Sequence, residues 1–218
     1  MSNIEKLTAL FSKFPGIGLR QARRFVYFLL VVKGDFLNEL IFLLTSLKTA
    51  VRECSSCYRF FDPVRSEDRG AATSNGVEEN TEANICSLCV GNINKPLLII
   101  VEKDIDLENI NKSGMQNSAY FVLGGLFSPS LQNSEVRITE LVARVKKDAE
   151  KKFLKEIIIA LSAHPHGDYT ALHVKKTLAE ALKKNDIKIT TLGRGISTGT
   201  EIEYSDAETI KNALDNRK

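Results

Sequence analysis

The phosphate-loop pattern G-x-x-x-x-G-K-[ST] occurs nowhere in the 218 residues of this chain. Without that lysine and that metal-binding hydroxyl, autonomous nucleotide hydrolysis lacks its two anchoring groups. Long apolar runs are missing as well. The longest, Phe25 to Val32, falls far short of the roughly 20 residues needed to cross a bilayer. Met1 to Lys6 is polar and has no signal-peptide apolar region behind it. A cytoplasmic location is therefore expected, where thiols stay reduced. Histidine is scarce, limited to His164, His166 and His173. These read as surface or helix-start residues rather than as a second metal site. Net charge is only +3, which by itself selects no partner.

What is present is 43% hydrophobic and 26% charged, enough for a globular chain with more than one core. Its four cysteines form two C-x-x-C pairs, Cys54 with Cys57 and Cys86 with Cys89. Two thiolates on a tight turn are the usual half-site for tetrahedral zinc. Two such knuckles supply four sulfurs with no open position, so one Zn2+ per chain is expected to build structure, not to do chemistry. A pair of disulfides or a redox couple are the alternatives, and the second identical pair argues against them. Between the knuckles, Ser66 to Ala83 is polar and acidic without an apolar period, and a mobile loop is expected there. Closing so long a loop costs little, because the entropy rises only logarithmically with length.

Charge is unevenly spread. Lys6, Lys13, Arg20, Arg23 and Arg24 face only Glu5 at the N-terminus, the footprint of a nucleic-acid binder. Ile4, Leu7, Leu10 and Phe11 recur at helical spacing, as do Ala22, Phe25, Val26 and Leu29. Between them, Phe14-Pro15-Gly16-Ile17-Gly18 predicts a tight turn whose two glycines let the backbone approach a ligand. A second helix then starts near Leu19, and its unpaired N–H groups attract phosphate. This is the pattern of a helix-hairpin-helix, which holds sugar and phosphate rather than base edges. An ordinary helical hairpin with a solvated arginine face is the plainer alternative. Phe25 to Val32 reads as buried helix, and Phe36 to Val51 as an amphipathic helix completing a small bundle.

Past Pro96 short apolar strands alternate with helices: strands at 97–101, 120–123, 157–161 and 187–192, and helices through Leu107, over 138–153 and over 168–184. That alternation predicts a mostly parallel sheet with helices on both faces. Functional groups in such sheets gather at the carboxyl ends of strands. Glu102 follows the first strand, with Asp104 and Asp106 close behind, and Asp168 follows the third. A glutamate after one strand and D-x-D after another would mark a magnesium-dependent Toprim site. Here the second motif reads His166-Gly167-Asp168, one carboxylate short, and two hard ligands are few for Mg2+. Asp168 suits a helix cap equally well. A Mg2+-dependent Toprim nuclease or nucleotidyl transferase using Glu102 and Asp168 is the enzymatic alternative.

Taken in order, these parts resemble the bacterial recombination mediator family RecR. The matches are F-P-G-I-G-L-R-Q-A-R-R at Phe14 to Arg24, the paired C-x-x-C, I-I-V-E at Ile99 to Glu102 and L-G-G-L-F-S-P at Leu123 to Pro129. G-D-Y-T-A at Gly167 to Ala171 and R-G-I-S-T-G-T-E-I-E-Y at Arg194 to Tyr204 complete them. The fold expected is multidomain α/β. A helix-hairpin-helix domain spans 1–52, a four-cysteine zinc element with its long acidic loop 53–94 and a Toprim-like sheet 95–192. A glycine-rich tail and helix follow over 193–218. The resemblance implies a non-enzymatic DNA clamp: a homo-oligomeric ring, commonly a tetramer, acting with RecO and in many bacteria RecF. Together they help load RecA at single-stranded gaps coated by SSB, at the bacterial nucleoid. It maps the family's DNA-contacting basic residues onto Arg20 and Arg24, with Arg23 an addition between them, and partner contact onto Glu102 and Asp168. The turn adds Gly16 and Gly18 to the expected DNA contact, and the cysteine spacing places metal at Cys54, Cys57, Cys86 and Cys89.

Overall fold

A computed structural model of the chain describes residues 1–63, 84–91, 94–115, 117–127, 136–183 and 185–217. The expected mobile loop at 66–83 lies outside the described residues. Internal packing divides the chain into two compact units, Met1–Val51 and Arg52–Lys218.

In the first unit, helix α1 (Asn3–Phe11) starts at Ser2. The Ser2 Oγ accepts from the Glu5 amide at 3.2 Å, and the Glu5 carboxylate accepts from the Ser2 amide at 2.7 Å. That reciprocal pair satisfies two otherwise orphaned donors. Gly16, at φ 75, turns the chain in the left-handed region that side chains resist. Helix α2 (Leu19–Val31) then returns and buries Ala22 and Val26, while the Phe11 ring meets the edges of Phe14 and Phe25 at 5.8 and 6.0 Å. Helix α3 (Gly34–Ala50) follows and carries no buried residue. The expected burial along Phe25 to Val32 therefore holds only in part, with Val26 buried and Phe25, Leu29 and Val32 half-buried, and Phe36 to Val51 packs more loosely than expected. Phe28, Leu30 and Val31 are more than half exposed, as are Ile41, Phe42 and Leu44. Apolar spacing marks a face to be covered, and within this unit it is covered only in part, by contacts such as the Phe36 ring 5.8 Å from Phe28.

The second unit begins with a short antiparallel ribbon, β1 (Arg52–Glu53) against β2 (Phe60–Phe61), around the first cysteine knuckle. Helix α4 (Ser87–Gly91) carries the second. Then come β3 (Leu97–Val101), α5 (Asp104–Lys112), β4 (Ser118–Val122), α6 (Ile138–Glu150), β5 (Glu156–Ala160), α7 (Pro165–Ala181) and β6 (Lys188–Thr191). The four strands are parallel in the order β4-β3-β5-β6. Because side chains alternate along a strand, Leu98 and Ile100 face one core while Ile99 and Val101 face another. The first core takes Leu141 and Val145 of α6 and Val174 and Leu178 of α7; the second takes Leu107 of α5. Helices therefore cover both faces, as the strand–helix alternation predicts. A short 3-10 turn (Ile202–Tyr204) leads to the last helix, α8 (Ala207–Asp215), capped by Asp206 through the Thr209 amide at 2.9 Å.

Helix α7 opens three residues before the expected Asp168. Its cap is His164, whose Nδ1 accepts from the Gly167 amide at 3.4 Å, with Pro165 preset for the first turn. A Cβ on Gly167 would lie 1.8 Å from the Ser162 carbonyl oxygen, a backbone atom with no room to move. Gly167→Ala is therefore expected to cost about 3 kcal/mol, on the order of 10 °C in Tm, which thermal unfolding will read directly.

Candidate nucleic-acid interface and metal centre

The four cysteine sulfurs converge, all lying within 4.8 Å of one another. Three local devices bring them there. The Cys54 amide donates to the Arg59 carbonyl at 2.8 Å, and the Tyr58 amide donates back to the Cys54 carbonyl at 2.9 Å. Tyr58 takes φ 62, a left-handed position that folds the first knuckle shut. The Ser55 amide meets the Asn84 carbonyl at 2.8 Å, tying the two knuckles together across the long insertion.

Cys57 and Cys86 Sγ stand 3.6 Å apart, well beyond the about 2.05 Å of a disulfide, and all four thiols are free. A metal with sulfur bonds of about 2.3 Å needs tetrahedral edges of about 3.8 Å, so the donor set fits a closed four-sulfur site. Cys54, Cys57 and Cys86 are buried and Cys89 is half-buried. Hydrogen bonds from Cys57, Cys86 and Cys89 drive the pKa of Cys54 down, while that of Cys57 is pushed up by its own contacts with Cys54, Cys86 and Cys89 and by burial. The Cys86 amide also donates to Cys54 Sγ at 3.3 Å, a donor suited to a metal-bound thiolate.

This centre is built into the sheet. The Val122 amide, at the end of β4, donates to the Cys57 carbonyl at 2.8 Å. The Tyr58 ring lies 5.2 Å from that of Phe121, with the Arg137 guanidinium 5.4 Å above it. Arg144 donates to the Ser56 carbonyl at 2.8 Å, Arg137 pairs with Glu53 at 2.5 Å, and Asp104 accepts from the Phe60 amide at 2.7 Å. None of these partners was visible in the sequence, because each pair is joined by the fold and not by spacing.

In the N-terminal unit, Gly16 and Gly18 are both exposed. Gly18 is the cap residue of α2 and contributes no side-chain hydrogen bond, so the leading amides of the helix lack a cap partner. Arg20, Arg23 and Arg24 are exposed and spaced three and four apart, Arg20 and Arg24 on the side away from buried Ala22 and Val26 and Arg23 flanking it. Arg24 also donates to Gln21 Oε1 at 3.3 Å. The arrangement offers bare N–H groups, the positive end of a helix dipole and three guanidinium groups to one polyanion.

The carboxylates at the strand ends are engaged with the chain itself. Glu102 is 5% exposed, accepts from Ser162 Oγ at 2.7 Å and pairs with Lys103 at 2.7 Å. Burial raises its pKa, but the hydrogen bonds from Lys103 and Ser162 outweigh that and hold it below the usual carboxylate value. Asp168 is gripped by both terminal nitrogens of Arg194, whose own pKa rises through that hydrogen bond. Asp168 is thus an ion-pair partner and not the helix cap its position suggested. Asp106 accepts from the Lys103 amide at 3.1 Å. Of the histidines, His164 is a helix cap and His173 packs on Phe127 at 4.7 Å, in keeping with their reading as ordinary residues.

Comparison with known proteins gives two family matches: Toprim domain over residues 97–193, and RecR, C-terminal, over residues 195–218. The chain is similar to the Recombination protein RecR of Pelobacter propionicus, 32% identical over 99% of this chain and 96% of that protein. It is 32% identical to the Brachyspira hyodysenteriae protein of the same name, over 98% of this chain and 95% of the relative. Identity to the Clostridium perfringens protein so named is 30%, again over 98% and 95%.

Proposed function

Since the chain belongs to the RecR family of recombination proteins, with a role in recombinational DNA repair, we propose that it is a non-enzymatic clamp on DNA. In this reading it works with RecO, and in some settings RecF, to load RecA at single-stranded gaps. The observation that carries it is the exposed Gly16–Gly18 turn, with the uncapped start of α2 and Arg20, Arg23 and Arg24 on one face. The contact is to sugar and phosphate, so it is independent of sequence.

Zinc is the metal we assign to Cys54, Cys57, Cys86 and Cys89, because four thiolates in a closed tetrahedron suit it best. It holds the two cysteine knuckles of a zinc element that we bound at 53–94, after a hairpin domain over 1–52 and before a Toprim domain over 95–192, with 193–218 as the tail. A ring of several copies is supported by the apolar residues of α3, exposed within the single chain. Enclosure then supplies retention that one subunit's affinity does not, as effective concentration does for any multivalent binder. The absence of catalysis is supported by the in-chain partners of Glu102 and Asp168, which occupy the oxygens a Mg2+ ion would need. Glu102 and Asp168 then serve at a partner-contact face.

The test is topological. Complexes on closed circular DNA are expected to survive a high-salt wash and to dissociate once a restriction cut opens the circle. Equal loss from circle and line overturns enclosure. In the same assay with Mg2+ or Mn2+, DNA cleavage that disappears in Glu102→Gln would overturn the non-enzymatic reading.

A further inference from the structure

A cleft of about 340 Å³ opens beside the cysteine knuckles, against the C-terminal half of α6. Ile85, Val90 and Phe153 form its apolar side, and Val90 is 49% exposed. Lys147 and Lys151 stand along it, one helical turn apart and both exposed. Among the described residues neither lysine has an ion-pair partner. Arg144 also lines the cleft, but its charge is already answered by Asp148 at 2.6 Å and its position fixed by Ser56. The wall is therefore electrically settled, while the lysine rim is not.

A matching ligand must bring one bulky apolar group and, within a few ångströms of it, negative charge. A phosphodiester chain offers the charge, but its bases need a free aromatic face to stack on. Phe153 is no such platform, since its ring packs against the sheet core. A peptide satisfies both demands, with carboxylates for the lysines and an aliphatic side chain for Ile85 and Val90. An anion at this end of α6 opposes the helix dipole, so the lysines are required and not incidental. We propose that the cleft is a docking site for a short acidic segment of a partner protein, one bulky aliphatic side chain seated between the knuckles and α6. This surface shares no residue with the hairpin, so it stands or falls apart from the DNA clamp.

Exposed ion pairs are weak singly and screened by salt, so the affinity should be modest and salt-sensitive. The probe is a dye-labelled run of aspartates ending in leucine, titrated by fluorescence anisotropy against the full-length, metal-loaded chain. Tighter binding than the matching asparagine peptide is expected. Lys147→Glu with Lys151→Glu should raise its Kd at least about tenfold while metal content stays unchanged and melting falls only slightly, since the two new anions oppose the dipole of α6. Should that variant fail to fold, Lys147→Gln with Lys151→Gln supplies the same readout. Val90→Ser should weaken binding too, and alanine at Arg20, Arg23 and Arg24 should not. The proposal is overturned if the native chain does not bind the aspartate peptide, or if the lysine variants bind it equally well. It is also overturned if those variants lose affinity for oligothymidine instead, which would assign the cleft to nucleic acid.

Discussion

Cys86→Ser is expected to release the bound metal and unfold the whole knuckle region, while the sheet survives with a lower Tm. The reason is how little else holds that region. The buried members of its hydrophobic cluster are Cys54, Cys57 and Cys86 themselves, with Phe61, Ile85 and Leu88 only partly covered around them. Such a core has no apolar substitute for a metal ion held by its four sulfurs. A structural zinc contributes roughly 10–16 kcal/mol in finger peptides, more than the remaining contacts can replace. The ties to the sheet, from Cys57 to Val122, Arg144 to Ser56 and Asp104 to Phe60, are hydrogen bonds contributing about 1 kcal/mol each. They depend on a knuckle already in shape. The main core of Leu98, Ile100, Phe121 and Val145 is a separate cluster and should persist. Metal stoichiometry and amide hydrogen exchange check this: one ion per chain should fall toward none, with protection lost at Cys54, Tyr58, Cys86 and Cys89. A serine variant keeping stoichiometric metal and those protected amides would refute the structural role. Chelating the native chain should reproduce the variant.

Strand β3 was legible to the residue, because an apolar run flanked by Pro96 and Glu102 leaves its ends no choice. So were the starts of α2 at Leu19 and α6 at Ile138, and the convergence of the four cysteines. The start of α7 was missed, because a histidine cap is rare and Asp168 looked like the better acceptor. Burial along Phe25 to Val32 held only in part, for a different reason. Periodicity reports that a face is apolar but not what covers it, and a face left partly open has the same pattern as a core. The roles of Glu102 and Asp168 lay beyond reach of local reasoning. Their partners Ser162 and Arg194 are distant in sequence, and only the parallel sheet brings β3, β5 and β6 to a common edge.

Alanine at Arg20, Arg23 and Arg24 together is expected to flatten the dependence of log DNA affinity on log salt by about two to three units. Each guanidinium that neutralises a phosphate releases a condensed counterion and contributes about −0.9 to that slope. All three side chains are exposed, so their removal should leave the hairpin folded. Binding should weaken alike for every sequence, because phosphate contacts carry no base information. The leading amides of α2 are neutral donors: they position a phosphate without releasing ions, so a weak, nearly salt-independent remnant should persist. Lysine at the same three positions separates charge from geometry. The slope should return, since the charge is restored, but affinity should recover only in part, because an ammonium cannot form the two-pronged contact of a guanidinium. Glu102→Gln, at the carboxyl end of the inner strand β3, should leave the slope untouched. Should the alanine variant keep the native slope, these arginines do not touch DNA, and the uncapped helix above them would have lost its reason to be bare.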